Sequence, residues 1–179
     1  MSEIIYYVAA SLDGYITDAQ KSVAFLDRFG DPSDTEEGAE DYGYHRLLED
    51  TEAVIMGANT YQFIQGQGDY PYPEHRSYIF TSQSLKAPAQ GQLVHTDPVD
   101  YCQQLKRWED RPIWLVGGGQ LAGALLEARL IDRLRLFVAP VTLGAGTPLF
   151  GAYQGHFDWQ LIDSKAYPSG LVEMHYQPL

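Results

Sequence analysis

Six short apolar runs of strand length recur along the chain: "EIIYYVAA", "EAVIMG", "RSYIFTS", "GQLVHT", "RPIWLVGG" and "DRLRLFVAPV". Helix-length stretches separate them, at 41–50, just after Gly57, at 99–108 and at 120–128. Strands that alternate with helices in this way predict an α/β fold with a mostly parallel central sheet flanked by helices. In the last helical stretch Leu121, Leu125 and Ala128 share one face, as a helix lying on a sheet requires. The end of the chain breaks the pattern. There "FDWQLIDSKAY", "PSG" and "LVEMHYQPL" read as two strands about a tight turn, a C-terminal antiparallel hairpin that closes one edge of the sheet.

A length of 179 residues suits one domain spanning 1–179, able to bury roughly two-thirds of its unfolded surface. The single cysteine, Cys102, excludes a disulfide framework and a zinc-thiolate cluster, and suits a reducing cytoplasm. The apolar run Ile4–Ala10 is too short to span a bilayer, and no Lys or Arg comes before Lys21. Against 24 acidic residues stand 12 basic ones, a net charge of -12, so the mean field repels nucleic acid and anionic membranes. An anionic small molecule would need backbone donors or a few placed cations. No two of the five histidines stand at metal-ligand spacing, so no metal is implied.

Three strand ends carry chemistry. In "IWLVGGGQLAGALLEARLID" Gly117, Gly118 and Gly119 join a strand to a helix. With Ala122 they satisfy G-x-G-x-x-G/A, but a dinucleotide fingerprint also wants an acidic residue ending the next strand, and "RLRLFVAPV" lacks one. The local physics remains: glycines admit a ligand to the backbone, and free amides at a helix start favour an anion such as a diphosphate. The other reading is a plain corner. "VIMGANTY" repeats the joint, with Gly57 at the turn and Thr60 near the next helix start, where a hydroxyl can cap the helix or hold a phosphate. "IFTSQS" presents Thr81, Ser82 and Gln83, which could hold a sugar or start a turn. All three belong to the carboxyl edge of one sheet, where α/β proteins bind ligands.

The stretches "AASLDGYI", "DYGYHRLLEDTEAVIMGANTY", "YIFTSQ", "IWLVGGGQL" and "LFVAPVTLGAGTPLF" together resemble the dihydrofolate reductase superfamily. The resemblance is closest to the branch that holds the reductase domain of the riboflavin-biosynthesis deaminase/reductase, and "APVTLGAGTPLF" marks that branch. It implies a dihydrofolate-reductase-like three-layer fold with NADPH lying across the carboxyl edge. The diphosphate would lie between the Gly57–Thr60 turn and the Gly118–Leu121 joint, bordered by Val116, Gly117, Gly119 and Gln120. Thr81 and Ser82 match the adenosine-ribose position, and Ala10 and Ile16 match the border of the nicotinamide. On the substrate side the resemblance points to Asp13, Tyr42, His45 and Ala139. Asp-Gly is first a turn signal, so Asp13 reads as a turn residue bordering the site. Asp41 occupies the spacing of the catalytic acid, and a carboxyl in an apolar cleft can protonate the atom next to a hydride acceptor. It equally suits an acid at a helix start, favoured by the helix dipole. The branch also implies a homodimer paired through a sheet edge. No deaminase zinc motif occurs in these residues, so the resemblance covers the reductase half alone.

One position departs from the family. Where its members carry an arginine that grips the 2′-phosphate of NADPH, this chain has Ala58. Losing a charge-assisted contact worth about 1.5–3 kcal/mol weakens binding by roughly one to two orders of magnitude. NADH use, a replacement cation such as Lys86, and a non-catalytic nucleotide-binding module all follow from that change. His75 and Arg76 stand where dihydrofolate reductases place one arginine for the folate tail, which turns the reading away from dihydrofolate reductase activity. The expectation is therefore an NAD(P)H-dependent oxidoreductase acting on a small heterocyclic or imine-type substrate. It resembles 5-amino-6-(5-phosphoribosylamino)uracil reductase.

Overall fold

The structure is a computed structural model that describes residues 1–179. In chain order the elements are β1 (Ile4–Ser11), β2 (Tyr15–Thr17), α1 (Tyr44–Asp50), β3 (Ala53–Gly57), α2 (Ala58–Gln65), β4 (Arg76–Phe80) and β5 (Gly91–Val94). There follow α3 (Pro98–Trp108), β6 (Ile113–Gly117), α4 (Gly119–Glu127), β7 (Arg133–Ala139), β8 (Thr147–Pro148), β9 (Trp159–Ala166) and β10 (Val172–Pro178). The six apolar runs became β1, β3, β4, β5, β6 and β7, all mutually parallel. The sheet order is β5-β4-β3-β6-β1-β7-β10-β9, and the C-terminal hairpin forms one edge, with β10 antiparallel to β7 and β9 antiparallel to β10.

Alternate residues of each strand face opposite layers, and both layers are apolar. On one face Ile4, Tyr6, Ile55 and Leu115 pack with Cys102 and Leu105 of α3 and Leu121 and Leu125 of α4. On the other, Val54, Met56 and Trp114 meet Leu47 of α1 and Tyr61 of α2. Each such side chain taken fully out of water stabilises the fold by about 1.5–3 kcal/mol. Burial pushes the Cys102 thiol up to about 12, so it packs as an apolar group. α3 shows how local sequence sets a boundary: the Asp97 carboxylate accepts the Val99 and Asp100 amides, Pro98 opens the helix, and Lys106 and Arg107 close it. No helix is long and apolar enough to cross a membrane.

Three details differ from the sequence reading. α1 begins at Tyr44 and not at Asp41, because Tyr42 and Gly43 both take positive φ, 51° and 74°, which a right-handed helix does not admit. Within the acidic 18–40 stretch, read as loop, Ala24–Phe29 forms a 3-10 turn that buries Phe29 against Tyr42 and Phe137. A small second sheet pairs β2 with β8, joined by a Thr17–Thr147 hydroxyl contact of 2.8 Å. Gly146 lies so close to the Thr17 carbonyl that any side chain there would overlap it.

Candidate functional site

β3 and β6 are neighbours, with Met56 opposite Gly117, so the helices that follow them start side by side. Gly57 and Gly118 are the extended N-cap residues of α2 and α4, and neither helix has a side-chain cap. A Cβ added at Gly57 would stand 4.0 Å from the Gly118 amide nitrogen. Cβ atoms at Gly117 and Gly118 would stand 3.5 and 3.3 Å from the Thr60 hydroxyl. Two helix starts with bare backbone and one hydroxyl thus border a single gap. Each helix start carries partial positive charge and N–H donors, so together they suit an anion with oxygens on two sides, such as a diphosphate. Within 4 Å of these Cβ positions stand only the Gly118 nitrogen and the Thr60 hydroxyl, which leaves the backbone of both helix starts open to a ligand such as a nucleotide diphosphate.

The third glycine does something else. A side chain on Gly119 would overlap the Pro148 carbonyl and lie 3.1 Å from the Gly151 amide, and Gly123, one turn on, faces the Phe150 carbonyl in the same way. These two glycines let the 147–151 strap lie flat on α4. The Gly117 and Gly118 half of the joint faces the gap. The Gly119 half is a packing surface.

Along the rest of the edge, the Thr81 hydroxyl accepts the Gln83 amide at 2.9 Å while Ser82 stays exposed. Lys86 is exposed, and its carbonyl accepts the Tyr61 hydroxyl at 2.7 Å, which ties it beside α2, the helix that carries Ala58. Val116 and Ile16 are partly open and Gln120 is exposed, whereas Ala10 and Leu121 are buried and can offer a ligand little beyond backbone.

The residues expected on the substrate side scatter. Half-buried Asp41 accepts the Gly43 amide at 3.0 Å and the His45 amide at 3.4 Å, so its carboxylate anchors the start of α1. His45, partly exposed, follows one residue after Tyr44 on the same helix. Tyr42 is not at the surface: it is 3% exposed, its hydroxyl donates to the Phe29 carbonyl at 2.7 Å, and the Ser169 hydroxyl, 3.0 Å away, can donate to it in turn. Ala139 is fully buried in the same cluster, so both residues act as core packing. The Asp13 carboxylate takes hydrogen bonds from Ser11 Oγ at 2.6 Å, the Leu143 amide at 3.0 Å and the Gly144 amide at 2.7 Å. Those bonds, the Ser11 hydroxyl foremost, hold its pKa down at about 2. Asp13 is the turn residue its dipeptide suggests, and it fastens the 11–15 turn to the 141–144 loop.

Two features escaped the sequence reading. Arg135 of β7 pairs with Glu173 of β10 at 2.6 Å, and its guanidinium lies 2.6 Å from where a Gly43 side chain would begin. Burial opposes charge on Glu173, yet hydrogen bonds from Tyr167, Arg135 and His175 outweigh it and hold the carboxyl below its ordinary value. The signal was present as Arg and Glu within strands, but the pairing depends on the β7–β10 register. The second feature is a cavity of about 270 Å³ beside α1 and α2, whose walls include Tyr44, Ile64 and Tyr72. In sequence, Tyr70 and Tyr72 of the "YPYP" loop read as able to stack on a ring or to pack within the loop, with packing the commoner use.

The sequence matches the RibD C-terminal domain family over residues 2–172. It is 29% identical over 178 residues to the Uncharacterized protein YwjB of Bacillus subtilis, covering 96% of this chain and 95% of that one. The crystal structure of a putative riboflavin biosynthesis protein from Shewanella superposes with a TM-score of 0.83 at 25% identity, covering 100% of this chain and 99% of the other. A deaminase/5-amino-6-(5-phosphoribosylamino)uracil reductase from Thermotoga maritima superposes at 0.74 and 15% identity, over 99% of this chain and 57% of that longer one. That last likeness concerns the fold. With a matched family spanning nearly its whole length, the chain belongs to the RibD C-terminal domain family.

Proposed function

We propose that the protein is an NAD(P)H-dependent reductase of small heterocyclic or imine-type substrates, working in the reducing cytoplasm. The observation that carries this reading is the pair of uncapped helix starts at Gly57 and Gly118, with the Thr60 hydroxyl between them. The 57–60 and 118–121 amides would hold the diphosphate, and Thr81 and Ser82 the adenosine ribose. A reduced nicotinamide bound there supplies hydride to an electrophilic carbon. Asp41, at the mouth of α1, is the residue proposed to relay the proton, and its backbone bonds to Gly43 and His45 fix where it stands. Membership of the family and the uracil-reductase fold neighbour support the heterocycle over dihydrofolate.

Ala58 carries two consequences. Without a guanidinium at that position the 2′-phosphate of NADPH loses its fork, so NADH should bind about as well as NADPH. The same residue favours the second reading, a module that binds the nucleotide without turnover. A homodimer through the hairpin edge is part of the proposal, because Leu161 and Ile162 of β9 are 51% and 49% exposed. The test is a titration with NADPH and with NADH followed by nicotinamide fluorescence, then addition of cyclic imines and pyrimidines. Binding with oxidation supports the reductase, binding without oxidation supports the module, and absence of binding removes both.

A further inference from the structure

The cavity of about 270 Å³ lies between the 31–33 turn, Tyr44 of α1, Ile64 of α2 and the 67–72 loop. Two of its walls belong to the elements that carry the proposed reaction centre. Ile64 follows Thr60 by four residues on α2, which puts it one turn further along the same face. The Tyr44 amide donates to the Asp41 carbonyl at 2.8 Å, so the cavity wall starts where the proposed proton relay ends.

Its chemistry is one-sided. Tyr44 and Tyr72 are fixed by edge contacts with the Trp114 indole, at 5.8 and 5.1 Å between centroids. Pro32, Pro71 and Ile64 complete the apolar wall, and the polar rim is Asp31, Ser33, Gln67 and Asp69. No Lys, Arg or His lines it. Asp31 is held in place as Ser33 donates to its Oδ1 through both amide and hydroxyl, at 2.8 and 2.7 Å. Those bonds, the hydroxyl first, keep its carboxyl below the ordinary range, so it stays charged. Burial, and then the Asp31 charge, raise the Tyr44 hydroxyl, which places that carboxylate close to the ring. Aromatic faces and carboxylates both attract a cation, and neither tolerates a phosphate.

Resting on the reductase reading above, we infer that this cavity is the substrate-selecting pocket and that it takes a flat nitrogen heterocycle carrying positive charge and no phosphate. A phosphoribosyl group there would meet Asp31 and Asp69 with no compensating cation. Asp31 and Asp69 are the specificity-determining residues, and Tyr44 and Tyr72, side by side on Trp114, form the aromatic wall against which the ring lies.

The test is calorimetric titration of the full chain, without nucleotide, using N-methylquinolinium and 1-naphthyl phosphate as matched probes. The cation should bind about tenfold tighter or better, as two nearby carboxylates facing solvent imply. Asp31→Asn combined with Asp69→Asn should erase that preference. A control pair of equal charge change on remote exposed carboxylates, Asp110→Asn with Asp163→Asn, should keep it. Equal or tighter binding of the phosphate, no binding of the cation, or a preference that survives in the Asp31/Asp69 variant overturns the inference. Because no cofactor is present, the outcome is separate from that of the reductase reading. A failed nicotinamide titration beside an intact probe preference removes the reductase and leaves the pocket, and the reverse pattern does the opposite.

Discussion

Asp41 carries two roles that one substitution cannot separate and two can. Its carboxylate holds the Gly43 and His45 amides, which is capping, and it is the residue we propose as proton relay. Asp41→Asn keeps an acceptor oxygen and removes the acid, so stability should stay within about 0.5 kcal/mol while turnover falls by roughly two orders of magnitude or more. Asp41→Ala removes both, and urea unfolding should show about 1 kcal/mol lost. Turnover of Asp41→Asn equal to that of the parent would leave Asp41 as a cap alone. At Ala58 the expectation concerns affinity. Ala58→Arg should raise the NADPH-to-NADH affinity ratio by about tenfold or more, read by competition at fixed nicotinamide fluorescence. An unmoved ratio would mean that the 2′-phosphate does not approach α2. Both positions came from the family resemblance, Asp41 by its spacing and Ala58 as a departure. The bonds of Asp41 to two backbone amides agree with its other reading as an acid at a helix start. Tyr42 was not legible as buried, since its burial depends on a 3-10 turn that brings Phe29 over it from outside the stretch that names the site.

Elements show the same division between local and distant information. The parallel strands were readable because each is a short apolar run, and the hairpin because its turn residues are local. The β2–β8 pair was not readable, since strands of three and two residues are too short to carry a period and their contact joins positions 130 apart in sequence. Asp13 locks that strap from the other side. Its pKa lies at about 2 in the folded chain against an ordinary 3.8, so its stabilisation is present above the ordinary value and is lost as pH falls through about 2. The gap in urea midpoint between the parent and Asp13→Asn should therefore be constant near neutrality and close between about pH 4 and 2. A gap that persists at pH 2 would assign the effect to another group. The glycines of α4 supply a contrasting case. Gly119→Ala pushes a methyl into the Pro148 carbonyl and should cost about 1–3 kcal/mol of stability in thermal or urea unfolding. Unchanged stability would show that the strap yields freely.

At the scale of the molecule, a net charge of -12 has to coexist with the proposed nucleotide site. Backbone dipoles at two adjacent helix starts would meet the anion there, while two side-chain carboxylates stand elsewhere, on the rim of the cavity beside α1. The sheet makes this arrangement unavoidable, since parallel β3 and β6 deliver both joints to one edge. The glycine runs announced that edge in the sequence, whereas the selecting pocket joins the 31–33, 44, 64 and 67–72 segments and left no contiguous trace. On the proposal above, a dinucleotide binds in the gap between Gly57 and Gly118. Gly57→Ala tests it with little risk to the fold, because its backbone is one any residue adopts and its methyl would stand 4.0 Å from the Gly118 nitrogen, inside the gap. In a nicotinamide-fluorescence titration the account predicts about tenfold or greater loss of affinity for NADH and NADPH alike, at unchanged melting temperature. Equal affinity in the parent and Gly57→Ala would contradict it.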